Sequence, residues 1–151
     1  ARVRLERLDA YRRHLRAAVR KRPIDDPELA PMFERLGRNI RHHQLPVPLL
    51  GDLLDAFSQD VRQTRYADFA ELSDYCRRSA NPVGRLLLHL YKADTPDNLL
   101  LSDKICTALQ LINFWQDVEV DWRKSRIYIP LADMERFGVT EAVIAGGEVM
   151  P

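Results

Sequence analysis

Apolar residues recur at helical intervals along most of the chain, and no stretch alternates apolar with polar positions for long. Leu5, Leu8, Arg12, Leu15 and Val19 keep one face, which predicts an amphipathic helix over 2–21, stopped by Pro23. Pro27 suits a second helix start, with Leu29, Met32, Phe33, Leu36 and Ile40 continuing it to about His42. After the break "QLPVP", Leu49, Leu50, Leu53, Leu54, Phe57 and Val61 form the inner face of a third helix. Asp68 with Glu71 three residues on makes a capping box for a fourth. That helix carries Leu72, Tyr75, Cys76, Leu86, Leu87 and Leu90, with a kink expected at Asn81-Pro82. A loop, "ADTPDN", leads to a fifth helix over roughly 98–122. "RKSRIYIP" reads as extended, and Leu131–Phe137 as a short helix closed by Gly138. The expected class is all-α, with long helices joined by short loops.

Composition narrows the function classes. With 151 residues, 46% hydrophobic and 30% charged, the chain can bury a substantial core and is no disordered tail. Its net charge of +1 gives no overall bias toward nucleic acid, although basic residues gather in Arg12–Arg22 and Arg123–Arg126. No apolar run approaches the ~18 residues that span a bilayer, and no signal peptide opens the chain. Cys76 and Cys106, both in helical patterns, suggest buried thiols in a reducing compartment. The first residue already lies inside a helical pattern and the last seven, "AGGEVMP", form no convincing terminal element. The expectation is a piece of a longer protein.

The chemistry is in "QLINFWQDVEVD". Gln110, Asn113, Asp117 and Asp121 are spaced by three, four and four, so they share one stripe of a helix. Aspartates one turn apart repel by about 0.2–0.5 kcal/mol on an exposed helix. Three explanations compete. The stripe could be a solvated acidic face offset by Arg123, Lys124 and Arg126; Leu109, Ile112 and Trp115 beside it argue instead that part faces the bundle interior. A transition-metal site is weak, because His42, His43 and His89 are far off in sequence. A hard-cation site fits best with two carboxylates and two amides: Mg²⁺ takes oxygen ligands and completes its shell with water and phosphate. The basic stretch that follows would then meet the same phosphate.

"ALQLINFWQDVEVDWRKSRIYIP", Ala108–Pro130, closely resembles the second aspartate-rich signature of squalene and phytoene synthases. "DYCRRSANPVG", Asp74–Gly84, is similar to the tyrosine–cysteine signature of that family, and "DLLDAFSQDVRQTRY" to the helix before it. The resemblance covers nearly the whole chain. "QDVRQTRYADFAEL", Asn81-Pro82 and Trp115-Gln116 look most like the bacterial hydroxysqualene synthase branch.

The resemblance implies an isoprenoid-synthase bundle with a deep cavity, in which two aspartate-rich helices hold Mg²⁺ against a prenyl diphosphate. It makes Asp117 and Asp121 the metal pair, with Asn113 as a further ligand and Gln110 supporting the diphosphate. Arg126 and Tyr128 match the basic and aromatic positions that follow. Asp60, Tyr75 and Gly84 match positions lining the cavity or letting helices approach, and Tyr75 joins Asp117 and Asp121 as a catalytic candidate. The implied reaction is ionisation of presqualene diphosphate and capture by water, giving hydroxysqualene for hopanoid synthesis. The implied location is the bacterial cytoplasm, with peripheral inner-membrane contact left open by the oily products. A head-to-head condensing synthase using farnesyl diphosphate is the nearest alternative, and a non-catalytic helical scaffold the alternative of another class.

Three positions depart from the common pattern: Gln116 replaces an arginine, Arg78 a tyrosine and Ser125 a glycine. The first aspartate motif, expected before Arg2, and a helical portion after Pro151 are not in these residues. The expectation is one partial domain over 1–151, inactive alone.

Overall fold

In the computed structural model, which describes residues 1–146, nine helices follow one another. They are α1 Arg2–Val19, α2 Ala30–His42, α3 Val47–Arg62, α4 Phe69–Ser79, α5 Asn81–Leu90, α6 Pro96–Gln116, α7 Val118–Arg123, α8 Leu131–Arg136 and α9 Glu141–Gly146. There is no strand among the described residues, as an all-α pattern requires. None of these helices is long and apolar enough to cross a membrane.

Two cores hold the bundle. In the first, α1 and α2 close as a hairpin on α3 around Leu15, Ala18, Phe33 and Ile40. Arg12, on the apolar face of α1, is part of this joint. Its Nη2 donates to the Leu54 carbonyl at 2.9 Å, Ser58 Oγ at 3.0 Å and Asp55 Oδ1 at 2.6 Å. The second core joins α3, α4 and α6 through Ala56, Leu72, Tyr75, Cys76, Leu111 and Phe114, with Tyr66 and Tyr128 from the connecting segments. Burial of its thiol among them raises the Cys76 pKa to about 11.

The expected helices are present with corrected ends. α2 begins at Ala30, not Pro27, because Asp26 Oδ1 accepts the Glu28 and Leu29 amides at 3.0 and 3.1 Å and turns the chain first. The kink at Asn81-Pro82 is a full break between α4 and α5. The Asp68–Glu71 cap forms: Asp68 Oδ1 accepts the Glu71 amide at 2.9 Å, while Glu71 Oε2 reaches the Ala67 amide at 2.6 Å. Gly138, at φ +67°, closes α8 as expected. The short α9 was not anticipated, and residues 147–151 of "AGGEVMP" lie outside the described residues.

Several apolar side chains of the helical pattern point outward, among them Phe57, expected on the inner face of α3. Met32, Phe57, Leu87 and Leu90 are exposed, and Ala56 rather than Phe57 is the buried contact of α3. On α6, Leu109, Ile112 and Trp115 are 56%, 44% and 57% exposed, whereas Leu111 and Phe114 are buried. The physical reason is one-sided packing. α6 meets α4 and α5 along one face, and its other face carries Leu101, Ile105, Leu109 and Ile112 into the open.

Candidate functional site

The expected single helix over 98–122 is two helices with a bend at Asp117 (φ −95°, ψ 15°). Helical hydrogen bonds span the bend, from the Asp117 amide to Asn113 O at 2.9 Å and from the Asp121 amide to Asp117 O at 2.8 Å. Helical phase is thereby kept across residues 113–121, so the row survives the break. Its members differ in environment. Asn113 and Asp117 are exposed, while Gln110 and Asp121 are half-buried. The side chains of Gln110, Asn113 and Asp117 make no hydrogen bond or ion pair among the described residues, and Asp121 has only Lys124 Nζ at 3.7 Å.

Beside the Asp121 end of this open row is a closed knot. Tyr75 Oη donates to Asp60 Oδ1 at 2.7 Å, and Tyr128 Oη reaches the same oxygen at 3.5 Å, a loose contact. Arg126 Nη2 donates to the Asp60 carbonyl at 2.9 Å, and its Nη1 lies 3.4 Å from Tyr128 Oη. Burial raises the Asp60 pKa and the nearby Asp121 charge adds to it; the Tyr75 hydroxyl, Arg126 and Tyr128 pull the other way without prevailing. Burial, followed by the charge of Asp60, likewise raises the Tyr75 and Tyr128 phenols. Burial works against the Arg126 charge, but Tyr128 and Asp60 outweigh it, so the guanidinium stays firmly charged.

The connecting segments explain how residues so distant in sequence meet. The Ile127, Leu131 and Ala132 amides donate to the carbonyls of Thr64, Tyr66 and Ala67 at 3.0, 2.9 and 3.0 Å. "RIYIP" is therefore extended, as expected, and runs beside the α3–α4 connection. Arg65 fastens the crossing by donating to Ser125 O at 2.8 Å and to Glu141 at 2.7 and 2.9 Å. Ser125 has φ 61°, a conformation that favours the glycine expected there from the resemblance. Four rings pack the joint: Phe114 and Tyr128 stack at 3.9 Å and 5°, with Tyr66 and Tyr75 around them.

Of the expected site residues, Asp60, Tyr75, Arg126 and Tyr128 come together, with Asp121 within electrostatic reach. Gly84 is placed elsewhere, at the α5–α6 crossing. A Cβ there would fall 2.6 Å from Cys106 Sγ and closer still to Ser102 Oγ, so a larger residue would have to displace both side chains. Tyr66, Phe114 and Arg65 were not singled out from the sequence. An aromatic four residues after Gln110 on the buried face was the signal for Phe114, but Tyr66 and Arg65 had none, since their partners are distant in sequence.

The donor set fits a hard cation held loosely. No three His, Cys, Asp or Glu side chains converge as a closed metal cage among the described residues. Mg²⁺ does not need one, because it usually takes one or two carboxylates, phosphate oxygens and water.

A family model for squalene/phytoene synthase matches residues 1–151. This chain belongs to the squalene/phytoene synthase family. The hydroxysqualene synthase of Zymomonas mobilis is 48% identical over 90 residues, covering 59% of this chain and 30% of that protein. The phytoene synthase of Mycobacterium tuberculosis is 30% identical over 137 residues, covering 91% of this chain and 43% of that protein. The crystal structure of squalene synthase HpnC from Alicyclobacillus acidocaldarius superposes with a TM-score of 0.86 at 38% identity, over 95% of this chain and 52% of that one. The chain thus spans about half or less of the length of these relatives.

Proposed function

We propose that these residues form the diphosphate-binding wall of an enzyme that converts presqualene diphosphate and water to hydroxysqualene and diphosphate. The observation that carries it is the pairing of an unengaged row, Asn113 and Asp117, with a charged and pre-positioned Arg126 beside Asp121. Repelling oxygen donors left without internal partners call for a cation, and an anchored guanidinium next to them calls for an anion; a metal-bound diphosphate answers both.

Asp117, Asp121 and Asn113 would hold Mg²⁺, with Gln110 toward the diphosphate. The ion would supply charge neutralisation to the leaving group. Arg126 binds diphosphate oxygens directly, and its bond to the Asp60 carbonyl fixes its direction. Tyr75 and Tyr128 hold Asp60 beneath it. The open apolar faces of α5 and α6, including Val83, Leu87, Ile105, Leu109 and Ile112, offer the prenyl tails an apolar surface. The hydroxysqualene synthase relatives support the hydrating reaction; the phytoene synthases, which match over more of the chain, favour head-to-head condensation of farnesyl-type diphosphates as the second reading.

The test uses the full-length enzyme containing these residues, with presqualene diphosphate and Mg²⁺. Asp117→Asn should lower hydroxysqualene formation by about a hundredfold or more, the scale of losing one electrostatic stabiliser of the leaving charge. Product at the wild-type rate would remove the metal assignment. Consumption of farnesyl diphosphate instead would select the condensing reaction.

A further inference from the structure

The charge of this chain is divided unevenly. Residues 1–46 carry twelve Lys and Arg against six Asp and Glu, while residues 47–151 carry eleven against sixteen. Part of the positive surplus is gathered into one place. Lys21, Arg22, Arg38 and Arg41 line a surface cavity of about 380 Å³ with Ala18, Pro23 and the lone carboxylate of Glu34.

The cavity is built by backbone contacts. A Cβ on Gly37 would lie 2.6 Å from the Ala18 carbonyl oxygen, so α2 is pressed against the last turn of α1. Arg41 Nη1 donates to that same carbonyl at 2.7 Å. Lys21, at φ 54°, then turns the chain, and Lys21 and Arg22 line the same cavity as Arg38 and Arg41.

Most Lys and Arg side chains among the described residues stand without a carboxylate within 4 Å, so what sets these four apart is their gathering around one cavity. Among the described residues, Lys21, Arg22, Arg38 and Arg41 have none, and Glu34 pairs with none of them. Cations do offset the negative end of a helix. Two of the last carbonyls of α1 are already engaged, however: Ala17 O accepts the Arg22 amide at 2.9 Å, and Ala18 O accepts Lys21 N at 3.3 Å as well as Arg41. Arg38 lies a turn inside α2. Four like charges thus line a concavity with one opposing charge.

We propose that this cavity binds a phosphate group, either of a free diphosphate-sized anion or of an anionic lipid headgroup. Guanidinium groups match phosphate oxygens with paired donors, and a compact concave cluster suits a phosphate better than an extended polyanion. The site uses none of Asp117, Asp121 or Arg126, so it stands or falls separately from the proposed reaction.

The experiment compares three full-length proteins in EDTA, which keeps divalent ions from the carboxylate row. They are the wild type, Lys21→Ala/Arg38→Ala, and Arg4→Ala/Arg7→Ala, which removes the same charge from exposed positions of α1. The first double variant spares the Arg41–Ala18 bond; each single variant is measured as well, in case the pair impairs folding. Inorganic diphosphate is titrated calorimetrically, and phosphatidylglycerol vesicles are co-sedimented against phosphatidylcholine vesicles. The wild type should bind at least one anionic probe, the Lys21/Arg38 variant about tenfold more weakly, and the Arg4/Arg7 variant as the wild type does. Retention only on phosphatidylglycerol assigns a lipid phosphate, and heat with soluble diphosphate assigns a free anion. Wild type that binds neither probe, or equal weakening in both double variants, overturns the proposal.

Discussion

The Asp60–Tyr75–Arg126–Tyr128 knot and the Gln110–Asn113–Asp117–Asp121 row lie side by side, yet they are finished to different degrees. The knot satisfies itself: its carboxylate, phenols and guanidinium bond to one another and sit on stacked rings. The row does not; three of its four side chains have no partner among the described residues. Polar groups that serve the fold find partners within the chain, because burying them unpaired costs free energy. Groups kept for a ligand can stay unpaired only where solvent or the ligand reaches them. The proposed division into a supporting knot and a ligand-binding row rests on this contrast.

The strongest way to break this contrast is to compare Tyr128→Ala with Asp117→Ala in urea unfolding. Loss of the ring stacked on Phe114 should destabilise by about 3–5 kcal/mol, as for other buried aromatics. Asp117→Ala should change stability by no more than about 0.5 kcal/mol. Equal losses would mean that the row is structural too. Tyr75→Phe comes next: it strips the Asp60 carboxylate of its best donor and should cost about 1–3 kcal/mol, read from the same unfolding curves.

The pH dependence sharpens the comparison further. The Asp60 pKa is raised in the folded protein, so the native state holds its proton more tightly than the unfolded chain does. The contribution is fully present below the ordinary value of 3.8 and is lost as pH rises through the folded pKa. Asp60→Asn should therefore flatten the decline of stability with pH in that window. A decline as steep as in the wild type would show that Asp60 is not its source. The smallest effect is expected at the row itself. Relief of the Asp117–Asp121 repulsion in Asp117→Asn should stabilise by about 0.2–0.5 kcal/mol without Mg²⁺, measured as a small rise in the urea midpoint. A clear loss of stability would mean that Asp117 has an internal partner.

Much of this was legible in the chain. Helical spacing fixed the class and most elements, Asp68 and Glu71 announced the α4 cap, and Gly138 marked the end of α8. The row could be found from a spacing of three, four and four, because its members are local. The expected interior positions failed at Phe57, Leu109, Ile112 and Trp115, since spacing groups residues on a face without saying what covers it. The bend at Asp117 was also hidden, because its flanking hydrogen bonds preserve the helical period.

The sequence by itself determined the all-α class, the family and the phased row of oxygen donors, because each depends on residues within a few turns of one another. Only the tertiary structure decided that Asp60 and Arg126 meet, that Tyr66 and Phe114 brace them, and that Lys21 and Arg38 line one cavity. Those contacts join segments tens of residues apart, and what brings them together is packing between helices, which no local pattern encodes.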